Sequence, residues 1–270
     1  MKLAFRRKVF WLFFFLATLN FLFHFALVYL LAQLEAGVME KGVTLPRFVK
    51  EKLFTGTGDG YRDFIAFQGT VVMVFLAFAG SVLVGNDFRF RLVAFYLSKP
   101  IGKIHYFLGK LGAVAGLTAL ITLLPALILY IEYGAFTESL EYYRGSQRIF
   151  WAILGYGSLV SLSSAVLLLG MAALFQRTIP IVVAWGTLFV FLPAVAVMFR
   201  HIARERGGEA WGWALLDFWE LLRWISNSFF GIREEVYAER LPYAVGVLCL
   251  WLLGSLGLFF KRVRAVEVVR

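Results

Sequence analysis

The chain has 270 residues and a mass of 30.6 kDa; 61% of its residues are hydrophobic and only 16% are charged. Soluble globular domains carry about 25% charged residues, so this composition excludes a soluble enzyme, a secreted disulfide scaffold and a disordered protein. One cysteine (Cys249) allows no internal disulfide, and three scattered histidines do not predict a metal site. The net charge of +10 would suit nucleic acid, but in a membrane chain its location has to be considered first.

Six uncharged apolar runs of 20 to 27 residues predict six membrane-spanning helices, because about 20 such residues cross a bilayer. The first run is too long for a signal peptide and is not followed by a cleavage site. We expect one all-α, multi-pass transmembrane domain over residues 1–270. Only Gln176, Arg177 and Thr178 separate the fourth and fifth runs, which predicts a tight hairpin. The predicted spans cover about 9–32, 64–84, 111–131, 149–175, 179–199 and 241–260.

The distribution of Lys and Arg predicts that both termini face the cytoplasm. With that orientation, the cytoplasmic segments contain 14 Lys and Arg against two acids, and the outer segments contain 13 against 15. Excess Lys and Arg is typical of cytoplasmic loops. The basic balance therefore indicates orientation in the cell membrane and contact with anionic lipids, and it requires no nucleic acid.

The segment after the second run predicts an amphipathic helix on the cytoplasmic membrane surface. Asp87 suits the positive N-terminus of this helix, and Pro100 ends it. The segment is either a basic helix that anchors the loop to lipid or a surface that docks a cytoplasmic partner. Its apolar face is formed at helical spacing by Phe88, Leu92, Phe95 and Tyr96.

A longer pattern extends through this segment into the third span. Asp87 is followed about ten residues later by Leu97-Ser98-Lys99-Pro100-Ile101, then by Lys103 and by Gly109-Lys110. This pattern, after the second of six spans, resembles the cytoplasmic loop of type-2 ABC exporter permeases. Two departures concern Arg91-Leu92-Val93, where many members have G-T-L, and Asp87, where Glu is common.

The resemblance implies a permease subunit of an ATP-driven exporter. In that family this loop is a coupling helix, which sits in a cleft of an ATPase subunit. By position, the coupling role falls on Asp87, Phe88, Arg89, Arg91 and Pro100, with Arg177 in a second contact.

The resemblance also implies the partners, namely two ATPase subunits and a second permease chain, identical or paralogous. ATP and magnesium would be on the ATPase, because this chain has no G-x-x-x-x-G-K-[ST] phosphate loop. Lys103 and Lys110 are predicted as headgroup anchors. A membrane assembly or scaffold protein without transport activity is the alternative function.

The segment between the last two spans predicts an amphipathic outer helix rich in tryptophan. Its apolar face includes Trp211, Phe218 and Trp219. Such a helix lies in the headgroup layer. It is either a passive aromatic belt or an outer gate, and the resemblance favours the gate.

Polar groups inside the spans are few. Asn20, His24 and Ser161 are candidates for lining a transport path, although a lone His and a Ser cluster are more often packing residues. No Asp, Glu, Lys or Arg lies well inside a run, which argues against a proton-coupled transporter. Gly112 and Gly116, with Gly157 and other small residues of span four, predict close helix packing. No catalytic or metal-binding set is visible, so we predict no enzyme activity in this chain.

Overall fold

The structure is a computed structural model that describes residues 8–40, 56–80, 84–85, 87, 102–136, 140–232 and 235–263. All regular elements in these ranges are helical, as predicted for an all-α chain. The α-helices are α1 (Lys8–Glu40), α2 (Gly58–Phe75), α3 (Lys103–Ile121), α4 (Leu123–Phe136), α5 (Leu140–Gly145), α6 (Gln147–Phe175), α7 (Thr178–Gly186), α8 (Leu192–Glu205), α9 (Phe218–Phe230) and α10 (Glu235–Arg262).

Five helical stretches in the described part of the chain are long and apolar enough to cross a membrane. The chain is therefore a helical, multi-pass membrane protein. In α1, the apolar stretch among the described side chains is Phe14–Leu30, so a sixth span remains a prediction. The five stretches are Gly58–Phe78, Lys103–Phe136, Gln147–Phe175, Thr178–Glu205 and Ala238–Arg262.

Several helices extend beyond the predicted spans. The third span was expected over 111–131 but covers Lys103–Phe136, and the fifth was expected over 179–199 but covers Thr178–Glu205. The apolar runs end at the first charged residue, whereas helical hydrogen bonding continues through it. As a consequence, Glu132 belongs to the third span.

Two prolines coincide with irregularities in the long helices. Pro125 follows the break between α3 and α4, and Pro193 follows a π-helical turn, Thr187–Phe191. Proline lacks an amide proton and its ring clashes with the carbonyl four residues earlier, which here belongs to Ile121 or Phe189. The regular hydrogen-bond pattern is therefore interrupted just before each proline.

Successive spans run in opposite directions, so the bundle has two ends. We call the "basic end" the one that contains the first turns of α3, the α6–α7 turn and the last turns of α10. We call the opposite end the "aromatic end"; there the start of α2, α4–α5, the start of α6 and α9 meet through tyrosine and arginine contacts. The cations of the basic end include Lys103, Lys110, Arg177, Lys261 and Arg262.

Helix α6 lies at the centre of the bundle and packs closely against its neighbours. A Cβ atom added to Gly170 would lie 2.5 Å from Ser255 Cβ, and one added to Gly157 would lie 2.6 Å from Leu123 Cδ1. These contacts agree with the predicted close packing of span four. By contrast, among the described residues no heavy atom lies within 4 Å of a Cβ added to Gly112 or Gly116, so this pair does not mediate packing here.

The segment between the last two spans forms two short helices, in agreement with the short outer helices expected there. A 3-10 helix, Trp211–Leu216, is separated from α9 by Asp217. Phe218, Leu221 and Leu222 of α9 are fully buried, because α2, α6 and α10 supply apolar surface around them. Helix α9 is therefore packed into the helix bundle, and its position in a headgroup layer remains a prediction.

Candidate functional site

At the basic end, two residues of α3 hold the carboxylate of Asp87. Lys110 Nζ lies 2.6 Å from Asp87 Oδ2, and the Tyr106 hydroxyl donates to the same oxygen at 2.9 Å. Tyr106 and Lys110 are four residues apart and therefore share one face of α3. Only 5% of Asp87 is exposed, so water does not solvate its carboxylate. The ammonium group of Lys110 and the hydroxyl of Tyr106 stabilise the buried carboxylate in place of water.

Aromatic side chains support this ion pair from the side of α10. The ring of Tyr106 stacks on Phe259 with a centroid distance of 6.2 Å and an angle of 12°. Phe107 contacts both Phe259 and Phe260, at 5.0 Å and 5.3 Å. The end of α10 is thus connected through Tyr106 to Asp87.

The turn between α6 and α7 lies at the same end of the bundle. A Cβ atom on Gly85 would lie 2.9 Å from Ile181 Cδ1 and 3.5 Å from Thr178 Oγ1. Gln176 adopts a left-handed conformation with φ of +54°, and Arg177 is extended and exposed. This geometry confirms the predicted tight hairpin and places Arg177 near the chain that leads to Asp87.

The structure brings together only some of the residues predicted for coupling. Phe88, Arg89, Arg91 and Pro100 lie outside the described residues. Asp87 is buried in its own chain.

The two predicted headgroup anchors differ in their surroundings. Lys110 pairs with Asp87, and its side chain is only 19% exposed; its contact with a lipid headgroup remains a prediction. Lys103 is partly exposed and has no carboxylate within 4 Å among the described residues.

At the aromatic end, Asp217 forms the N-terminal cap of α9. Its Oδ1 accepts hydrogen bonds from the backbone N–H groups of Trp219 and Glu220, at 2.9 Å and 3.4 Å. Arg200 of α8 lies 3.4 Å from Glu220 Oε1 and 4.0 Å from Asp217 Oδ2. Burial raises the pKa of Asp217 above its ordinary value, although the two backbone hydrogen bonds act in the opposite direction. Arg200 thus connects the end of α8 to the start of α9.

A second arginine connects α2 to α9. Arg62 lies 3.0 Å from Asp59 and 2.9 Å from Asp63, and its Nη1 donates to Asn227 Oδ1 at 2.9 Å. This cluster borders a cavity of about 320 Å³, which Trp219 also lines. Both arginines therefore hold the interspan helix α9 to neighbouring spans.

A larger cavity of about 870 Å³ lies at the aromatic end, between α8, the 3-10 helix, α9 and the start of α10. Trp211 lines this cavity, Trp219 lines the smaller one, and Phe218 is buried in the core. The three predicted gate residues thus occupy three different environments. Sequence reasoning missed the arginine lining of the large cavity, because its members come from three separate helices.

Two of the three candidates for path lining, His24 and Ser161, form side-chain hydrogen bonds within their own helices, whereas Asn20 Nδ2 has no partner among the described residues. His24 Nδ1 lies 2.9 Å from the carbonyl oxygen of Asn20, and the His24 ring contacts Phe64 at 5.1 Å. Ser161 Oγ donates to the carbonyl oxygen of Gly157 at 2.7 Å. His24 thus contacts α2, whereas Ser161 is buried within the bundle on α6. Their role as path-lining residues remains a prediction.

Glu132 is a buried acid that the sequence analysis did not single out. It is 7% exposed, and neither carboxylate oxygen has a hydrogen-bond partner among the described residues. Glu132 stands directly after the third apolar run, and it is part of the helix because α4 continues to Phe136. The sequence feature that could have identified Glu132 is its position directly after the third apolar run.

No protein-family model, curated protein or solved structure matches the chain. In the described part of the chain, no group of three or more His, Cys, Asp or Glu side chains could hold a metal ion. The loop motif and the geometry of the two ends are therefore the basis for a functional assignment.

Proposed function

We propose that the chain is the membrane permease subunit of an ATP-driven exporter, and that residues 86–110 couple it to a separate ATPase subunit. The observation that supports this proposal is the buried ion pair between Asp87 and Lys110. Asp87 stands at the start of the family-like loop motif, and Lys110 stands at its end. The pair thus joins the two flanks of the proposed coupling segment.

A segment whose flanks are joined by a buried ion pair moves together with the helices that carry the flanks. Packed interiors shift as units and do not deform continuously. A force on the segment would therefore reach span two through Asp87 and α3 through Lys110. The stack of Tyr106 on Phe259 would extend the same movement to α10.

The remaining residues of the loop motif are the proposed contacts with the ATPase. Phe88, Arg89, Arg91 and Pro100 would enter a cleft on that subunit, and the exposed Arg177 would form the second contact. In this proposal the basic end and both termini are cytoplasmic, in agreement with the excess of Lys and Arg there. Two ATPase subunits, with their ATP and magnesium, and a second permease chain complete the transporter in the cell membrane.

The test is purification of the tagged chain from its native membrane in a mild detergent, followed by mass spectrometry of the bound proteins. We expect a stoichiometric ATPase with a phosphate-binding loop. Reversing two charges of the loop, Arg89→Glu with Arg91→Glu, should remove this ATPase. Arg144→Glu, which changes an exposed arginine at the aromatic end, should retain it.

A replacement of Asp87 does not test ATPase binding alone, because it also removes the carboxylate that pairs with Lys110 and so affects the fold. The loop variants, which have lost the ATPase, should instead elute from a sizing column as one symmetric peak, which shows that they are folded. If the folded chain carries no such ATPase, the exporter proposal fails. A membrane assembly or scaffold protein would then be the better interpretation.

A further inference from the structure

The large cavity at the aromatic end is formed where four helical segments meet. Arg200 and Arg204 come from the end of α8, Trp211 from the 3-10 helix, Arg223 from α9, and Arg240 from the start of α10. Its volume of about 870 Å³ lies in the range of sites for small organic ligands. The cavity is therefore large enough for a ligand headgroup together with part of its apolar body.

The arginines of this cavity differ in their partners. Arg200 is paired with Glu220 at 3.4 Å. Among the described residues, Arg204, Arg223 and Arg240 have no carboxylate within 4 Å, although they line one cavity. Three guanidinium groups are thus available to an anion.

Acidic residues limit the charge that the cavity accepts. Its lining contains four arginines and three glutamates, which leaves an excess of one positive charge. Glu220 is engaged by Arg200, and Glu209 accepts a hydrogen bond from Trp211 Nε1 at 2.9 Å. The balance favours a monoanion, such as a phosphate diester, over a polyphosphate.

Arg240 is held in place by aromatic rings. Its guanidinium carbon lies 5.9 Å from the ring centroid of Trp211 and 5.6 Å from that of Trp224. Such contacts are attractive through the quadrupole of the ring. A guanidinium that is already oriented loses less freedom when its N–H groups bind two oxygens of an anion.

The same cavity has an apolar wall. Trp211 contacts Tyr243 at a centroid distance of 5.1 Å, and both side chains line the cavity. Tyr243 belongs to the stretch Ala238–Arg262, so the cavity lies at the boundary between a span and polar surroundings. Trp, Tyr and Arg at this depth are typical of contacts with lipid headgroups.

We propose that this cavity binds a phosphate-bearing amphiphile of single negative charge. In this proposal the phosphate contacts Arg204, Arg223 and Arg240, and the apolar part of the ligand packs against Trp211 and Tyr243. The source of the phosphate is either a lipid headgroup or a free phosphate compound. This proposal does not depend on coupling to an ATPase. Either proposal can therefore be refuted by its own experiment while the other stands.

The test is calorimetric titration of the full chain in a nonionic detergent with three probes: dioctanoyl phosphatidylglycerol, dioctanoylglycerol and inorganic phosphate. We expect the phospholipid to bind and the neutral dioctanoylglycerol not to bind. Arg204→Gln and Arg223→Gln should each weaken phospholipid binding about tenfold, because each removes a charged hydrogen bond. The matched control is Arg144→Gln, an exposed arginine of the same end that does not line the cavity, and it should bind like the unaltered chain.

The two sources of phosphate give different results with the third probe. Inhibition of phospholipid binding by inorganic phosphate supports a site for free phosphate compounds, and its absence supports a lipid site. Unchanged affinity in both Arg204→Gln and Arg223→Gln, or equally tight binding of dioctanoylglycerol, would overturn the proposal. Both arginines are exposed and have no ion pair among the described residues, so their replacement by glutamine should leave the chain folded. A loss of binding in these variants therefore reports on the cavity and not on unfolding.

Discussion

Asp87 and Lys110 form a buried ion pair with 2.6 Å between Oδ2 and Nζ, and Tyr106 donates to the same carboxylate oxygen. The pair connects Asp87, which follows span two, with α3, 23 residues further along the chain. Because the pair is largely removed from water, neither charge is tolerated alone. This relationship leads to the first prediction.

Replacing Lys110 by Met should leave the Asp87 carboxylate buried without its main partner. We expect the free energy of unfolding to fall by about 3 kcal/mol, the usual cost of breaking a buried pair. The double variant Asp87→Asn with Lys110→Met should recover much of this loss, because no charge then remains buried. Thermal unfolding of the protein in detergent measures both effects.

The matched control is Lys103→Met, seven residues earlier on the same helix, where no carboxylate lies within 4 Å among the described residues. It should change the free energy of unfolding by less than about 0.5 kcal/mol. Equal melting temperatures for Lys110→Met and Lys103→Met would contradict the role of the ion pair.

The cap of α9 gives a second prediction. Asp217→Ala removes the acceptor of the Trp219 and Glu220 backbone N–H groups and should cost about 1 kcal/mol of stability. Asp217→Asn retains a capping oxygen and should unfold close to the unaltered chain at neutral pH. Chemical unfolding in detergent distinguishes the two variants. The cap is unimportant if Asp217→Ala and Asp217→Asn behave alike.

The same residue predicts a pH dependence. Burial raises the pKa of Asp217 above its ordinary value of 3.8, so in the pH range between these two pKa values the folded chain retains a proton that the unfolded chain has released. This contribution to stability is therefore present below pH 3.8 and is lost as the pH rises through the pKa of the folded state. Asp217→Asn does not titrate, so its melting temperature should lack this part of the pH profile. Parallel pH profiles for the two proteins would disprove the assignment.

Tyr142 predicts a further dependence at high pH. Its hydroxyl lies 3.2 Å from the Tyr61 hydroxyl and donates to the carbonyl oxygen of Gly56 at 3.2 Å. Burial is the main cause that raises the pKa of Tyr142 from 10.0 to about 12. Between these values the folded chain keeps a proton that the unfolded chain loses, so stability falls as the pH rises through this window.

Difference absorbance of phenolate between the unaltered chain and Tyr142→Phe isolates this residue. We expect the difference signal to develop near pH 12 in the folded protein and near pH 10 after unfolding. A midpoint near pH 10 in the folded protein would show that Tyr142 is hydrated.

The contact between α6 and α10 gives the last prediction. A methyl group at Gly170 would lie 2.5 Å from Ser255 Cβ and 2.7 Å from Ser255 Cα, so the two helix backbones would have to separate. Gly170→Ala should therefore lower the free energy of unfolding by about 1–3 kcal/mol. Gly254→Ala is the matched control, because among the described residues no heavy atom outside the local helix backbone lies within 4 Å of its added methyl group. A smaller loss for Gly170→Ala than for Gly254→Ala would contradict the close contact.

Some of the site was visible in the sequence and some was not. The spacing of Tyr106 and Lys110 places both on one helix face, but the sequence alone favoured lipid as the partner of Lys110. The buried position of α9 was also missed, because its apolar periodicity is equally suitable for a membrane surface and for a helix bundle. In both cases the ambiguity concerned which surface lies opposite a side chain.

The sequence by itself determined that this is an all-helical, multi-pass membrane chain and that a tight hairpin joins α6 to α7. Both features are local, because the length of an apolar run and the residues of a short turn decide them. Only the tertiary structure decided that Asp87 pairs with Lys110, that Glu132 is buried, and that three arginines with no ion pair among the described residues meet in one cavity. These features depend on which helix faces pack together, and that choice is made by the complementarity of side chains from distant parts of the chain.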